Sequence, residues 1–367
     1  MKLANIVLCA GLAALLGACA QPASEAENLT RWVDPKIGTG GHGHVFVGAN
    51  VPFGLVQVGP TSIPQEWDWC SGYHESDSTV IGFSHTHLSG TGIGDLFDVT
   101  VMPVVGEVTC ARGVEENPQS GLWSYADRSK EVVEPGYYSV PLSRYGITAE
   151  MTATSRVGLH RYTFPASDDA AVVFDLENGG CWDKATETGF TFSEDSTRLS
   201  GWRYSMGWAR DQKVYFVAEF SKPAKGITYL QPGEPDDSKM PRIAARYARV
   251  DFDMAEGEQL LMKVALSPVS IEGAEANLEA ELPGWNFEAT RLAADKAWND
   301  ELSKVRVETA DDAAKRIFYT ALYHTMVAPS EFCDANGDYR GADGQVRPNP
   351  GYKTYTTFSL WDTSRAA

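Results

Sequence analysis

The sequence predicts a multidomain chain in which a large β-sandwich is followed by helices, and two observations carry this prediction. From residue 29 to residue 270, short runs rich in β-branched and aromatic residues alternate with turns rich in Gly, Pro, Asn and Asp. From residue 271 onward, apolar residues recur at helical spacing instead. Many short strands without intervening helices favour a sandwich, and about 240 residues can form a single large one.

Strand-like runs separated by turn signals support the sandwich domain at residues 29–270. The turn signals are Gly-containing segments at 134–138, 178–180 and 231–233, of which the first and last also contain Pro. The clearest predicted strands lie at residues 45–47, 54–59, 98–105, 171–176, 214–220 and 260–266.

Residues 271–308 are predicted to form a helical linker, and residues 309–367 the incomplete start of a further helical domain. The linker stripe consists of Ala294, Trp298, Leu302 and Val305, with charged residues opposite. The next helix is expected to begin at Thr309, a suitable N-cap, and to end before Pro329. Its predicted buried face consists of Ala314, Ile317, Phe318, Ala321, Leu322 and Thr325. One or two helices cannot bury their own apolar faces as a domain.

Residues 1–18 are predicted to be a signal peptide. Lys2 precedes an apolar run from Ile6 to Leu16, which is too short for an ordinary membrane-spanning helix. The ending Leu-Gly-Ala-Cys resembles a bacterial lipoprotein box, in which the cysteine carries the lipid. Cys19 is therefore the predicted lipidation site and residues 19–28 a polar tether. We expect a lipid-anchored protein of the periplasm or the outer-membrane surface; a plain signal peptide is the alternative.

Charge and cysteine content limit the classes of partner and of cross-link. The chain has 49 acidic and 31 basic residues, a net charge of −18, which repels nucleic-acid phosphates. Its membrane contact is expected through the lipid anchor alone. Cysteines 70, 110, 181 and 333 lie far apart without Cys-x-x-Cys spacing, which leaves both disulfides and buried thiols open.

The stretch from Trp69 to Asp98 is the densest in groups that can bind or react. It holds three histidines, an indole, four carboxylates and several glycines. Glycines let a backbone approach a ligand closely, and an indole beside carboxylates suits a sugar ring with its apolar face and polar edge. Trp361 and Asp362 repeat this combination near the end of the chain, although a single tryptophan is more often a core residue.

Three other motifs are less specific. The pairs His42–His44 and His85–His87 could each supply two metal ligands, but a zinc site needs three or four and no Cys or Glu lies at matching spacing. We therefore expect no metal site in these segments. The Gly-rich run at 37–44 lacks the Lys-Ser/Thr of a phosphate-binding loop. The run at 334–338 opens like an EF-hand, but Tyr339 occupies the glycine position.

Six motifs follow one another along nearly the whole mature chain. They are Val-Asp-Pro-Lys-Ile-Gly-Thr-Gly-Gly-His-Gly-His (33–44), Val-Pro-Phe-Gly-Leu-Val-Gln (51–57), Cys-Ser-Gly-Tyr-His (70–74), Gly-Phe-Ser-His-Thr-His-Leu-Ser-Gly-Thr-Gly (82–92), Tyr-Arg-Gly (339–341) and Phe-Ser-Leu-Trp-Asp-Thr (358–363). In this order they resemble glycoside hydrolase family 92, the secreted exo-acting α-mannosidases of bacteria.

The resemblance implies an N-terminal β-sandwich, a helical linker and a C-terminal (α/α)6 barrel, of which residues 309–367 would be the truncated start. It also implies calcium-dependent hydrolysis of α-mannosidic bonds in mannose-containing glycans, with inversion. Inversion uses two carboxyl groups roughly 6.5–9.5 Å apart, one as acid and one as base. Calcium would hold mannose hydroxyls and help to distort the ring.

The residues carried over from the family are substrate-binding residues. The catalytic acid, base and calcium ligands are expected beyond Ala367, so no catalytic role is assigned here. The candidate sugar contacts are Trp69, His85, His87, Asp95, Trp361 and Asp362. We expect a lipid-anchored exo-α-mannosidase whose chain, without that catalytic half, is inactive alone; a stand-alone glycan-binding lipoprotein is the alternative.

Overall fold

Two large antiparallel β-sheets form the body of the structure, a computed structural model that describes residues 27–356 except 66, 115 and 233–244. The strands, in chain order, are β1 (Ala49–Asn50), β2 (Gln57–Thr61), β3 (Thr79–Val80), β4 (Gly82–Ser84), β5 (Thr100–Val105), β6 (Ser124–Tyr125), β7 (Val132–Glu134), β8 (Tyr137–Leu142), β9 (Ile147–Ala153), β10 (Val157–Thr163), β11 (Ser167–Asp175), β12 (Lys184–Phe192), β13 (Arg198–Met206), β14 (Gln212–Phe220), β15 (Gly226–Pro232), β16 (Ala245–Met254), β17 (Gln259–Ser267), β18 (Tyr339–Arg340) and β19 (Val346–Arg347). The helices are α1 (Ile271–Glu281), α2 (Phe287–Leu302) and α3 (Asp312–His324).

The two sheets have seven and eight strands and enclose one main hydrophobic core. Sheet A has the order β1-β2-β4-β5-β11-β16-β15, and sheet B the order β12-β13-β14-β17-β10-β9-β8-β7. Aromatic side chains join them: Phe174 of sheet A stacks on Phe216 of sheet B, with ring centroids 6.0 Å apart. The predicted order, a large sandwich and then helices, is confirmed.

Two of the predicted strands differ from the structure. Residues 45–47 are buried but irregular, because Phe46 donates its backbone N–H to the Ser89 hydroxyl, 3.1 Å away, and not to a neighbouring strand. The run at 54–59 becomes a strand only at Gln57, because Gly54 closes a turn onto the carbonyl oxygen of Val51, 3.0 Å away. A buried strand and a buried loop therefore look alike in sequence when glycines flank both.

The linker region consists of two capped helices separated at Pro283 and Gly284. The Ser270 hydroxyl accepts the first-turn N–H of α1, and the Asn286 side chain does the same for α2. Three of the four predicted stripe residues are buried on α2: Ala294, Trp298 and Leu302. Val305 lies beyond the end of α2 and is exposed.

The predicted start and buried face of α3 are wrong. The helix begins at Asp312 with Asp311 as its N-cap, while Thr309 only accepts a hydrogen bond from the Asp311 backbone. Ile317 is 61% exposed and Phe318 is also exposed. The buried residues are Tyr319, Thr320 and Tyr323. The ring of Tyr323 packs against that of Trp298, with ring centroids 4.3 Å apart.

Both later helices dock on the first strand of the sandwich. The Trp298 indole N–H donates to the carbonyl oxygen of Asn50 over 2.7 Å, and the Tyr323 hydroxyl donates to the Asn50 side chain over 3.3 Å. Trp298 also belongs to a second buried cluster that includes Leu29 and Phe46. This contact places α2 and α3 beside the chain segments that precede β1.

The predicted signal peptide, Cys19 and most of the tether lie outside the described residues, as do Trp361 and Asp362. Within the described ranges, none of the helices has both the length and the apolar character needed to cross a membrane. The four cysteines of the described part are free thiols.

Replacing Trp298 with Ala tests the docking of the helices on the sandwich. We expect the free energy of unfolding to fall by about 3–5 kcal/mol in a urea titration, because a fully buried indole and its hydrogen bond are lost. Leu292→Ala on the same helix is the control; its side chain is 68% exposed, and the change should stay within about 0.5 kcal/mol. Equal effects of the two substitutions would contradict this account of docking.

Candidate functional site

One connection carries most of the predicted site residues. Residues 85–99, here called the β4–β5 loop, join two neighbouring strands of sheet A. Leu96, Phe97 and Val99 have φ angles of 70°, 64° and 52°. Such left-handed backbone is unfavourable for bulky residues, most of all for β-branched valine, and is stored mainly at functional sites. The loop is therefore held in an unusual conformation by what surrounds it.

Segments from distant parts of the chain hold the β4–β5 loop on both sides. On one side, Gly90 donates its N–H to the His44 carbonyl oxygen over 2.8 Å, and the Trp67 indole donates to the Gly92 carbonyl oxygen over 2.9 Å. On the other side, Trp182 donates its N–H to the Gly94 carbonyl oxygen over 3.1 Å. The predicted stretch at 69–98 is thus a meeting point of three chain segments.

A partly exposed cluster of polar and aromatic side chains lies beside the loop, with His42 and Trp67 exposed and His44 buried. Nδ1 of His42 lies 2.6 Å from an oxygen of Asp68, and Nε2 of His44 lies 3.3 Å from the same atom. The hydrogen bond from His42 lowers the pKa of the Asp68 carboxyl. Trp67 packs edge-on against His44, with ring centroids 4.2 Å apart.

Trp69 is half-buried next to this cluster. Its indole N–H donates to an oxygen of Asp77 over 2.8 Å, and its ring stacks on His74 with centroids 4.4 Å apart and planes at 22°. Because His74 covers one face of the indole, at most the other face is open to a ligand.

His87 is buried under the loop. Its ring lies between those of Phe46 and Phe97, with centroids 4.9 and 5.0 Å away, and its Nδ1 faces the Gln57 carbonyl oxygen at 2.8 Å. Burial lowers the pKa of His87 to about 3. Its other ring nitrogen, which is then a neutral acceptor, has no hydrogen-bond partner among the described residues. Gly72 leaves room for it, since a Cβ there would lie 3.2 Å from the ring.

His85 has no exposed surface and belongs to a hydrogen-bonded chain between the sheets. Nδ1 of His85 donates to the Val99 carbonyl oxygen over 2.6 Å, so its Nε2 must accept from Nε2 of His160, 2.9 Å away. Nδ1 of His160 in turn accepts from the Tyr162 hydroxyl over 2.8 Å. This placement favours a structural role for His85 over direct contact with a sugar.

Asp95 is also buried, and its carboxylate acts as a clamp. One oxygen accepts the backbone N–H of Trp208 and the other that of Ala209, each over 2.9 Å. The side chain therefore fixes the turn between β13 and β14 against the β4–β5 loop, instead of facing solvent.

A buried guanidinium joins the end of the loop to sheet B. Arg203 on β13 forms an ion pair with Asp98 at 2.7 Å, a second with Asp183, and a hydrogen bond to the Leu176 carbonyl oxygen. Burial raises the pKa of Asp183 to about 6, although the positive charge of Arg203 opposes that shift. Charges without exposed surface persist only when they are paired in this way.

Sequence reasoning missed Arg203, Asp183 and His160. His160 lies 75 residues along the chain from His85, and Arg203 lies 105 residues from Asp98, so no local spacing relates them to the loop. Asp183 is joined to the loop through Arg203. One signal was available: Arg203 stands between Trp202 and Tyr204 in an otherwise strand-like run, where an inward charge needs a buried partner.

The comparisons with known proteins decide which family these residues belong to. Residues 32–267 match the model of the glycosyl hydrolase family 92 N-terminal domain, and residues 273–367 match that of the family's catalytic domain. The chain belongs to glycosyl hydrolase family 92. The predicted resemblance is thereby confirmed. The first match ends with β17, and the second begins in the first turn of α1.

Solved family 92 structures share the fold. An α-mannosidase from Bacteroides thetaiotaomicron, solved in complex with mannoimidazole, is 37% identical with a TM-score of 0.85, over 92% of this chain and 45% of that chain. An inverting mannosidase from the same organism is 27% identical with a TM-score of 0.75, over 91% of this chain and 44% of that one.

A curated relative is similar at lower identity. An uncharacterized secreted glycosidase from Arthroderma benhamiae is 25% identical over 84% of this chain and 43% of its own length. The chain therefore spans less than half of each of these relatives.

Removing the charge of Arg203 tests whether this side chain anchors the β4–β5 loop. We expect Arg203→Met to lower the free energy of unfolding by about 3–5 kcal/mol, because Asp98 and Asp183 lose their buried counter-charge. The control is Arg246→Met, which breaks a partly exposed pair with Glu177 and should cost less than about 1 kcal/mol. Urea titration measures both; a cost for Arg203→Met as small as the control's would refute the anchoring role.

The histidine pair predicts a loss of stability in mild acid. Burial lowers the pKa of His85 to about 4 and that of His160 well below its usual range, while both titrate near 6.5 in the unfolded chain. Below pH 6.5 the unfolded state therefore binds more protons than the folded state. The free energy of unfolding should be flat above that pH and should fall as the pH drops toward 4.

His160→Gln, which removes one titrating ring, should reduce this fall between pH 7 and pH 5, the range in which most carboxylates stay ionised. Thermal unfolding followed over this pH range measures the slope. Identical slopes for the wild-type protein and His160→Gln would show that the buried pair does not cause it.

Proposed function

We propose that this chain contributes the β-sandwich domain and the first helices of an exo-acting α-mannosidase, which hydrolyses terminal α-mannosidic bonds of glycans with inversion. The observation that carries the proposal is the similarity to the α-mannosidase solved with mannoimidazole, at 37% identity over 92% of this chain. The similarity to the inverting mannosidase supports the stereochemical part.

Burial divides the candidate substrate-binding residues into two groups. In this proposal, direct contacts with the sugar come from the open face of Trp69 and from Trp361 and Asp362. His85, His87 and Asp95 are buried, and they would act by holding the loop and its neighbours in place. An indole packs well on the apolar face of a pyranose ring, while a carboxylate accepts hydrogen bonds from its hydroxyls.

Calcium dependence remains part of the proposal, but the described residues do not provide the ion's site. Among them, no three or more His, Cys, Asp or Glu side chains converge as metal ligands. Asp95, Asp98 and Asp183 already accept hydrogen bonds or ion pairs from protein donors. We therefore propose that the calcium ligands lie elsewhere, and we derive no step of the hydrolysis through the ion.

The cellular location is proposed from the N-terminal sequence. The lipoprotein box at Cys19 supports anchoring at the periplasmic or outer-membrane surface, where mannose-containing glycans from outside the cell would be met. The relative from Arthroderma benhamiae is described as secreted, which agrees with export.

A second candidate function is glycan binding without hydrolysis. The observation in its favour is that Asp95 and Asp98, the two buried aspartates of the β4–β5 loop, accept hydrogen bonds from protein groups on both carboxylate oxygens, so neither offers an oxygen to a substrate. In that case the chain would retain mannosides but release no mannose.

Proton NMR of α-1,2-mannobiose incubated with the purified full-length protein distinguishes these functions. An α-mannosidase that inverts should give β-mannopyranose as the first product, before mutarotation mixes the anomers. Binding in calorimetry without any mannose release would instead support the glycan-binding function. Absence of both binding and release would reject both functions.

Replacing Trp69 with Ala tests the proposed sugar contact. We expect affinity for the mannoside, or kcat/KM where mannose is released, to fall at least about tenfold, because one apolar face for the ring is lost. Trp123→Ala, at another partly buried indole, serves as the control, and an equal loss in both variants would contradict a specific role for Trp69.

A further inference from the structure

Large apolar side chains are exposed beside the β4–β5 loop. Trp67 is 50% exposed, Trp182 42%, Met206 52% and Trp208 50%. Neighbouring exposed apolar groups of this size mark a surface that binds something. We call the surface formed by Trp182, Met206 and Trp208 the outer aromatic surface.

The backbone of the loop connects Trp67 with the outer aromatic surface. The Trp67 indole lies so close to Gly92 that a Cβ there would overlap it. Two residues later, a Cβ on Gly94 would lie 3.0 Å from the Trp182 ring. Two residues of chain span at most about 7 Å, so the two indoles flank one short stretch of loop. Glycine at 92 and 94 permits both close approaches.

Trp208 is fixed to the same stretch. The buried carboxylate of Asp95 accepts the backbone N–H groups of Trp208 and Ala209. The left-handed residues Leu96 and Phe97 follow directly. The backbone of Trp208 and the loop stretch between Trp67 and Trp182 are therefore held in position before any ligand arrives, which lowers the entropic cost of binding.

A neutral oligosaccharide fits this surface better than a charged partner. The net charge of −18 disfavours anionic polymers. The indoles of Trp67 and Trp182 flank peptide groups of the loop, and the side chains of Asp68 and His42 lie next to Trp67. Indole rings beside hydrogen-bonding groups complement pyranose rings, which have apolar faces and polar edges.

We propose that the outer aromatic surface binds the sugar units that follow the terminal mannose of a glycan, and so selects for longer chains. This inference rests on the proposed function, since it assumes that the terminal mannose lies by Trp69. Its support is the continuity of the loop from Trp67 to Trp182 and Trp208. Trp182 and Trp208 are thus specificity residues that touch the distal part of the substrate.

Calorimetry with two ligands tests the proposal in the full protein. Trp182→Ala with Trp208→Ala should weaken binding of a linear α-linked mannotetraose about tenfold and leave binding of methyl α-mannoside unchanged. Tyr125→Ala, at an exposed aromatic residue of β6, should change neither affinity. Since all three side chains are exposed, thermal unfolding should confirm that each variant is folded.

Each other result overturns the inference. Unchanged affinity for mannotetraose in the double variant removes the distal role while the proposed function stands. Equal losses for both ligands place these residues at the terminal sugar. A wild-type dimer in light scattering that the double variant abolishes, without a change in affinity for mannotetraose, assigns the surface to a second copy of the chain. Failure of the wild-type protein to bind either ligand rejects the proposed function as well.

Discussion

The structure depends most on the buried guanidinium of Arg203. It joins the two sheets: Asp98 lies near the end of the β4–β5 loop of sheet A, Arg203 belongs to β13 of sheet B, and Asp183 directly precedes β12 of that sheet. Taking three charges out of water is costly, and their attraction repays this only when geometry and further hydrogen bonds are good. Here Asp98 also accepts from Thr86 and Gln212. The network fixes the end of a loop whose own backbone is unfavourable.

The sequence predicted the architecture well because periodicity reports which faces are buried. The change from period 2 to period 3.6 near residue 270 marks the end of the sandwich, and the Trp298 stripe marks the docked helix. The face of α3 was mispredicted because Tyr319 and Tyr323 have both an apolar ring and a hydroxyl. Such residues can enter a core when their hydroxyl finds a partner, which residue type alone does not disclose.

The candidate site could be located from the sequence, but the roles of its residues could not. The stretch at 69–98 is indeed where three segments meet. Irregular backbone has no period, however, so nothing in the sequence showed that His85 points between the sheets while Trp67 points outward. The partners that decide these orientations, His160 and Arg203, are brought in by long-range strand pairing. The contacts of Trp361 and Asp362 belong to residues outside the described part.

The chain of hydrogen bonds from Tyr162 through His160 and His85 to Val99 has a direction. Each proton position is dictated by the next, and the last is dictated by a backbone carbonyl, which can only accept. A proton entering at the tyrosine end would have no group to leave from. The two imidazoles therefore cannot act as a relay for charge. Instead, a backbone carbonyl within the strained loop determines which ring nitrogen of His160, on the opposite sheet, carries the proton.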